Sequence, residues 1–435
     1  MSKKIIILIS IILVFFLLVF GYAYITKTDT ETTGEAPSEE NFLFNIFNFG
    51  SKDSLTNPIN NLVDFITGNK EEEVTIVNKL NKISSMPISG YGVLEKERYV
   101  VVPDVDPNET EENKNKPTEP QTEFVPILKY ADKTNGNIYQ TLVEKIDERR
   151  FSETIIPSIH ESIFTENGVI MRYLRNGSTI ATFFGNLPKE ILGADSNNGN
   201  EIFGSFLPDG IKDISVSPDN KKIFYLNNTK NGVAGILTKS EISNKEQIFD
   251  SVFTEWTSFW PNNDLITLTT KPSGLVPGYS YLLNTKTKDF DKTLSGINGL
   301  ITLMNPNGEN ILYSNNTLSL NVFNISRNEI RSLNVRTHAD KCIWAGDSIH
   351  LYCAVPKFID NTYVYPDSWY QGETSYDDEI FKINTQTGAK TKLVDPSTIY
   401  ANTVIDAVNL KLDPKEENLF FMNKSDSYLW GLKLN

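Results

Sequence analysis

Cys342 and Cys353 are the only two cysteines, and they flank the turn Ala345-Gly346-Asp347-Ser348 symmetrically in KCIWAGDSIHLYC. With the turn centred between Asp347 and Ser348, they stand opposite one another on adjacent strands. Opposed positions bring Cα atoms to about 4.5–5.5 Å, within reach of a disulfide. An oxidising compartment would close that bond, and two buried free thiols are the alternative. His350 alternates to a neighbouring position and no further cysteine exists, so no metal site is indicated.

The segment from Val355 to Glu379 interleaves Tyr363, Tyr365, Trp369, Tyr370 and Tyr376 with Asp367, Glu373, Asp377, Asp378 and Glu379. Rings give large contact area at low entropy cost, and carboxylates can hold sugar hydroxyls or a basic partner. Tyr363, Tyr365, Trp369, Tyr370, Tyr376 and Asp377 are therefore the candidate contact residues. The bland alternative is a loop whose rings cover its own scaffold. Asp377 and Asp378 are adjacent, so on a strand they face opposite sides and cannot act together as acid and base.

Other chemistry is poorly represented. Asp104-Val105-Asp106-Pro107-Asn108 starts like a calcium loop, but Glu109 replaces the turn glycine and Asn115 the closing glutamate. A solvated acidic loop is the better reading. There is no G-x-S-x-G elbow, H-E-x-x-H, P-loop or dinucleotide fingerprint, and no motif implies a cofactor. His160 and His338 read as structural or surface residues.

These residues need a scaffold, and the sequence supplies one. A polar turn feeding an apolar strand recurs about every 40 to 45 residues, the mark of a modular β array. The copies are Ser217-Pro218-Asp219-Asn220-Lys221-Lys222-Ile223-Phe224-Tyr225, then Trp260 to Leu268, Asn305 to Tyr313 and Asp413 to Phe421. Counting the same unit elsewhere predicts about seven four-stranded blades, with six or eight as alternatives. Their limits are 85–156, 157–207, 208–250, 251–295, 296–335, 336–399 and 400–435. The last holds only three strands, Val404 to Leu412, Asn418 to Asn423 and Tyr428 to Leu434. Val74 to Ile83 has outer-strand character and is expected to complete it, removing an exposed edge. The fold class is all-β, a propeller closed by an N-terminal strand, over residues 73–435.

The Ser-Pro-Asp-x-Lys-Lys-Ile-Phe-Tyr phrase resembles the blade motif of TolB-like and WD40-like bacterial β-propellers, over residues 74 to 435. The resemblance implies a fold and not a function, since many activities share it. TolB-type proteins carry an α/β domain before the propeller, whereas here an apolar segment and a tether precede it.

That segment, Ile5 to Ile25, runs 21 residues without a charge after Lys3 and Lys4. At about 1.5 Å per residue it crosses a hydrocarbon core of about 30 Å. The lysines favour an N-terminus inside and the remainder exported, so residues 1–25 read as a signal-anchor in the cytoplasmic membrane. A cleaved signal peptide, with Gly21-Tyr22-Ala23 at the cut, is the alternative. Residues 26–72 read as a tether containing the apolar knot Phe42 to Phe49 and a short helix within Thr56 to Gly68. The chain carries 41 Lys and Arg against 55 Asp and Glu, a net charge of −14. That field repels phosphate backbones and argues against nucleic-acid binding.

The sequence thus predicts a membrane-displayed propeller that binds a protein, peptide or glycan through loops on one face. The connections between second and third strands emerge on that face, and Lys271 to Gly278 joins the sixth-blade insertion there. A glycan-cleaving hydrolase or lyase working at the central funnel is the competing class.

Overall fold

Three copies of the repeated phrase are turns held by their own first side chain. In the copy that starts at Trp260 the third residue, Asn262, takes that part by accepting the Asp264 and Leu265 amides. The Ser217 hydroxyl donates to Asp219 at 2.6 Å and accepts the Lys222 amide at 2.9 Å, while Asn220 takes the left-handed conformation. Asn305 accepts the Glu309 and Asn310 amides, and Asp413 accepts the Asn418 amide at 2.7 Å. The polar letters of the repeat therefore reverse the chain, and the apolar letters after them form a buried second strand. The hairpins after the third strand are built alike. Asn284 and Asn384 each accept two following amides, and Lys288 and Gly388 close them at positive φ.

The computed structural model describes residues 79–100, 121–177, 179–192, 200–240, 242–401 and 403–434. Within them stand seven four-stranded antiparallel sheets. The closing strand aside, they overrun the limits expected from the repeat by at most three residues, where the fourth runs on to Asn298. In the third sheet Ile211–Val216 pairs with Lys222–Thr229, then Gly232–Lys239, then Glu246–Ser251. The sheets form a ring because an apolar cluster joins each to the next. Phe164 and Val169 of the second sheet meet Leu94 and Ile127 of the first, and so on around to Phe420 and Leu429 of the seventh against Tyr91 and Tyr130 of the first. Seven clusters between seven sheets leave no open end.

The seventh sheet is completed as expected. Leu80–Lys82 pairs with Leu429–Lys433, setting Leu80 opposite Leu432 and Lys82 opposite Trp430. Of the closing segment foreseen at Val74 to Ile83, residues 74–78 lie outside the described part. So do the expected membrane span, the tether with its apolar knot and short helix, and the Asp104 to Asn108 loop. Among the described residues no helix is long and apolar enough to cross a membrane. Two short helices, Asp367–Tyr370 and Pro396–Ile399, interrupt the all-β pattern where the sixth blade leaves the repeat.

Candidate functional site

The first strand of each sheet is hydrogen-bonded on one side only, so seven strand edges face a common central channel of about 780 Å³. Every such strand runs toward its repeat turn. One end of the channel is accordingly rimmed by turn residues Pro218, Pro261, Pro306 and Pro414, and the other by Pro272, Asp340 and Tyr370. The polar groups of the wall include Ser89 and Ser162, whose hydroxyls lie 2.7 Å apart.

The sixth-blade insertion covers part of the second end. Asp367 accepts the Gly274 amide at 2.6 Å, which ties the insertion to the fourth-blade loop and brings both to one face, as the sequence predicts. Inside it, Tyr365, Trp369 and Tyr376 are only 3–4% exposed and pack with Leu318 of the fifth blade. The Trp369 ring stacks on His338 at 4.6 Å, and Tyr376 shares a 2.9 Å hydrogen bond with the His338 imidazole. Burial depresses the His338 imidazole well below its ordinary range, with the Lys341 and Lys424 charges adding to the effect. His338 is thus a neutral structural residue.

This corrects the expectation that all five rings form contact surface. Tyr365, Trp369 and Tyr376 fold inward because a buried polar anchor waits for them. The Trp369 indole donates to Asp406 at 2.8 Å and the Tyr376 amide donates to the same oxygen at 3.1 Å. Lys341, fully buried, sits between Asp406 and Asp378, 2.8 Å from the latter. Asp378 points inward and Asp377 outward to Lys357 at 2.9 Å, the opposite facing expected of neighbours. Tyr363, Tyr370 and Asp377 remain accessible; Tyr363 is 38% and Tyr370 46% exposed.

Tyr370 is the insertion residue that reaches the channel. Its hydroxyl donates to Asp340 at 2.5 Å, and the other Asp340 oxygen is buried without a partner. Desolvation raises the Tyr370 phenol well above its ordinary value, reinforced by the Asp340 charge, and raises the Asp340 carboxyl too. Farther round the wall, Glu161 pairs with Arg172 at 2.7 Å. Asp213 accepts both the amide and the hydroxyl of Ser258 at 2.6 Å, and desolvation brings its carboxyl up to about 6. Sequence reasoning missed Asp340, Glu161, Asp213 and Lys411. Glu161, Asp213 and Lys411 sit on inner strands, where alternation was the available signal; Asp340 lies in the short helical turn Ala339–Lys341 before the sixth blade, which no period marks. Among the described residues no group of three His, Cys, Asp or Glu could hold a metal ion.

The cysteines behave as their spacing predicts. Cys342 and Cys353 are register partners, disulfide-bonded, with Cα atoms 4.1 Å apart.

No known protein family and no curated protein matches this chain. Its seven four-stranded sheets make a seven-bladed propeller, and several solved structures align to it weakly. The tricorn protease aligns at 11% identity and a TM-score of 0.35, over 68% of this chain and 27% of that one. An oligogalacturonate lyase in complex with manganese aligns at 9% and 0.42, over 71% and 85%. TolB from Acinetobacter baumannii aligns at 14% and 0.39, over 72% and 77%. The chain spans about a quarter of the tricorn protease's length. These likenesses transfer no residue role.

Proposed function

We propose that this propeller is a binding platform whose recognition site is the insertion-covered mouth of the channel. Its partner is a protein, peptide or glycan. The observation that carries the reading is Tyr370. A buried anchor fixes the insertion, and from it one half-exposed ring, its hydroxyl held by Asp340, stands in the channel mouth. A rigid, half-exposed ring offers a stacking face to a sugar, a side chain or a peptide plane at low entropy cost. Tyr363 and Asp377 lie on the same insertion and extend the contact area.

Display outside the cytoplasmic membrane by residues 5–25 belongs to the same proposal. It rests on the apolar run and its flanking lysines. The disulfide supports it, since such bonds persist in oxidising compartments.

The competing glycan-cleaving reading needs a free acid at the funnel; desolvation raises the Asp213 carboxyl to about 6, but Asp213 holds Ser258 and is not among the channel-lining residues. Against it, Glu161 and Asp340 each already hold a partner. Affinity capture with the exported portion tests the platform. Tyr370→Ala is expected to lose partners that wild type retains, while the fold persists. Equal capture by both would refute the assignment of the mouth.

A further inference from the structure

We propose that the channel also holds an anionic group, a carboxylate or a phosphate, against Lys411 at the seam where the last blade meets the first. This rests on the reading of the channel as a recognition site and adds the chemistry of a second contact within it.

Lys411 is the single cationic side chain among the residues that line the channel. It reaches that position through a β-bulge. The seventh blade's inner strand, Ala407–Leu412, carries one extra residue against its neighbour, with the register broken between Val408 and Lys411. Asn409 takes a left-handed φ of 54° there, a conformation that non-glycine residues adopt seldom. Bulges of this kind re-aim the side chains that follow them. The bulge is pinned from the first blade, where the Tyr91 hydroxyl donates to the Asn409 carbonyl at 2.5 Å. Lys411 in turn donates to the Tyr91 carbonyl at 2.9 Å. The two contacts form a reciprocal clasp across the closing seam, with the exposed Asn409 amide beside it.

The clasp leaves the ammonium short of a counter-charge. Among the described residues its one hydrogen bond goes to a neutral carbonyl, the Tyr91 ring centre lies 5.1 Å away, and no salt bridge within 4.0 Å involves it. The channel's acids are engaged elsewhere: Asp413 in its turn, Glu416 on the Gly346 amide, Glu161 on Arg172 and Asp340 on Tyr370. Desolvation accordingly lowers the Lys411 ammonium to about 8. A partly exposed cation without a counter-ion attracts an anion small enough to enter, and the attraction acts locally against the repulsion of the chain's overall charge of −14. The Tyr91 carbonyl fixes where the ammonium points.

The test uses the full chain with citrate and inorganic phosphate as probes. Lysines are acetylated at trace level with and without each anion, and labelling is read by peptide mass spectrometry. Lys411 is expected to be protected about tenfold at saturating anion, while exposed Lys221 labels unchanged. Protection by citrate alone marks a carboxylate site, and by phosphate alone a phosphate site. In calorimetry Lys411→Met is expected to abolish the binding heat, Lys411→Arg to retain it and Tyr370→Ala to leave it intact. Loss of the heat in Tyr370→Ala alone would implicate the mouth and refute the Lys411 site. If neither anion protects Lys411, or if Lys411→Met binds as wild type does, the proposal is wrong. Should Lys411→Met fail to fold, the protection experiment on wild type decides alone.

Discussion

Trp369 donates its indole N–H to Asp406 at 2.8 Å, fastening the sixth-blade insertion to the loop that enters the seventh blade. The other Asp406 oxygen takes the Lys341 ammonium, so one buried carboxylate joins an insertion, an inter-blade loop and the blade behind them. The insertion is therefore part of the core at its base and part of the surface at its tip.

Trp369→Ala is expected to destabilise the fold by about 3–5 kcal/mol, the usual cost of truncating a buried tryptophan. Trp369→Phe keeps most of the volume and removes one of the two donors to that Asp406 oxygen, for about 1–3 kcal/mol. Thermal melts rank the two variants. A change under 1 kcal/mol for the alanine variant would mean that the insertion is not anchored here.

Lys129 makes a different statement about burial. It is fully buried, its ammonium has no hydrogen-bond partner, and it lies 3.2 Å from the centre of the Phe151 ring. Desolvation pushes its pKa well below the ordinary lysine value, with Lys96 adding to the effect. The unfolded chain then binds a proton that the folded chain refuses, so this residue costs stability, and the cost grows as pH falls below the free lysine value. Lys129→Met is expected to raise stability by about 1–2 kcal/mol at neutral pH, with the gain shrinking toward pH 10. Chemical denaturation at the two pH values checks it.

Asp213 has the opposite linkage. Its folded pKa of about 6 lies above the free value of 3.8, so the folded chain binds the extra proton in that interval. The contribution is whole below about pH 4 and is lost as pH rises through 6. Asp213→Asn preserves an acceptor for Ser258 and removes the titration. The variant is expected to match wild type near pH 4 and exceed it at pH 7, in melts across that range. Parallel curves would exclude Asp213 as the source.

The blades were legible because each strand pair carries its own local instruction. Ser217, Asn305 and Asp413 reverse the chain through their side chains, and Ile223, Ile311 and Leu419 then enter the core. The disulfide was legible for the same reason, since a symmetric turn fixes the register of Cys342 and Cys353. The insertion obeys no such rule. Trp369 faces inward because of Asp406, which lies 37 residues away, and no period within 355–379 encodes that. Lys341 next to Asp340 looks like a solvated pair in sequence, yet one is locked in the core and the other faces the channel. The Lys411 site depends on a bulge at Asn409, where the sequence shows only an asparagine inside an apolar strand.

The Cys342–Cys353 bond closes a loop with a sequence separation of 11, so chain entropy assigns it about 2–3 kcal/mol. The Cys342→Ser, Cys353→Ser double variant is expected to lose that amount in urea titrations, and reductant is expected to bring wild type to the same midpoint. An unchanged midpoint in the double variant would place the stability of the sixth blade in its packing alone.

Closure of the ring gives the last expectation. Without Leu80–Lys82 the Leu429–Lys433 strand becomes an outer edge, with its row of amides and carbonyls unpaired and Leu432 and Trp430 less covered. Such an edge invites pairing with a second chain. A chain that starts at Ser84 is expected to melt at lower temperature than one that starts at Ile76, and to form soluble oligomers in light scattering. The removed segment contributes the strand pairing, the hydrogen bond from the Ile83 amide to Leu429 and the buried Leu80 and Ile83, about 2–5 kcal/mol for the Leu80 side chain alone. If the two truncations melt together and both stay monomeric, the seventh blade stands on three strands, and the ring is held by the clusters on either side of it.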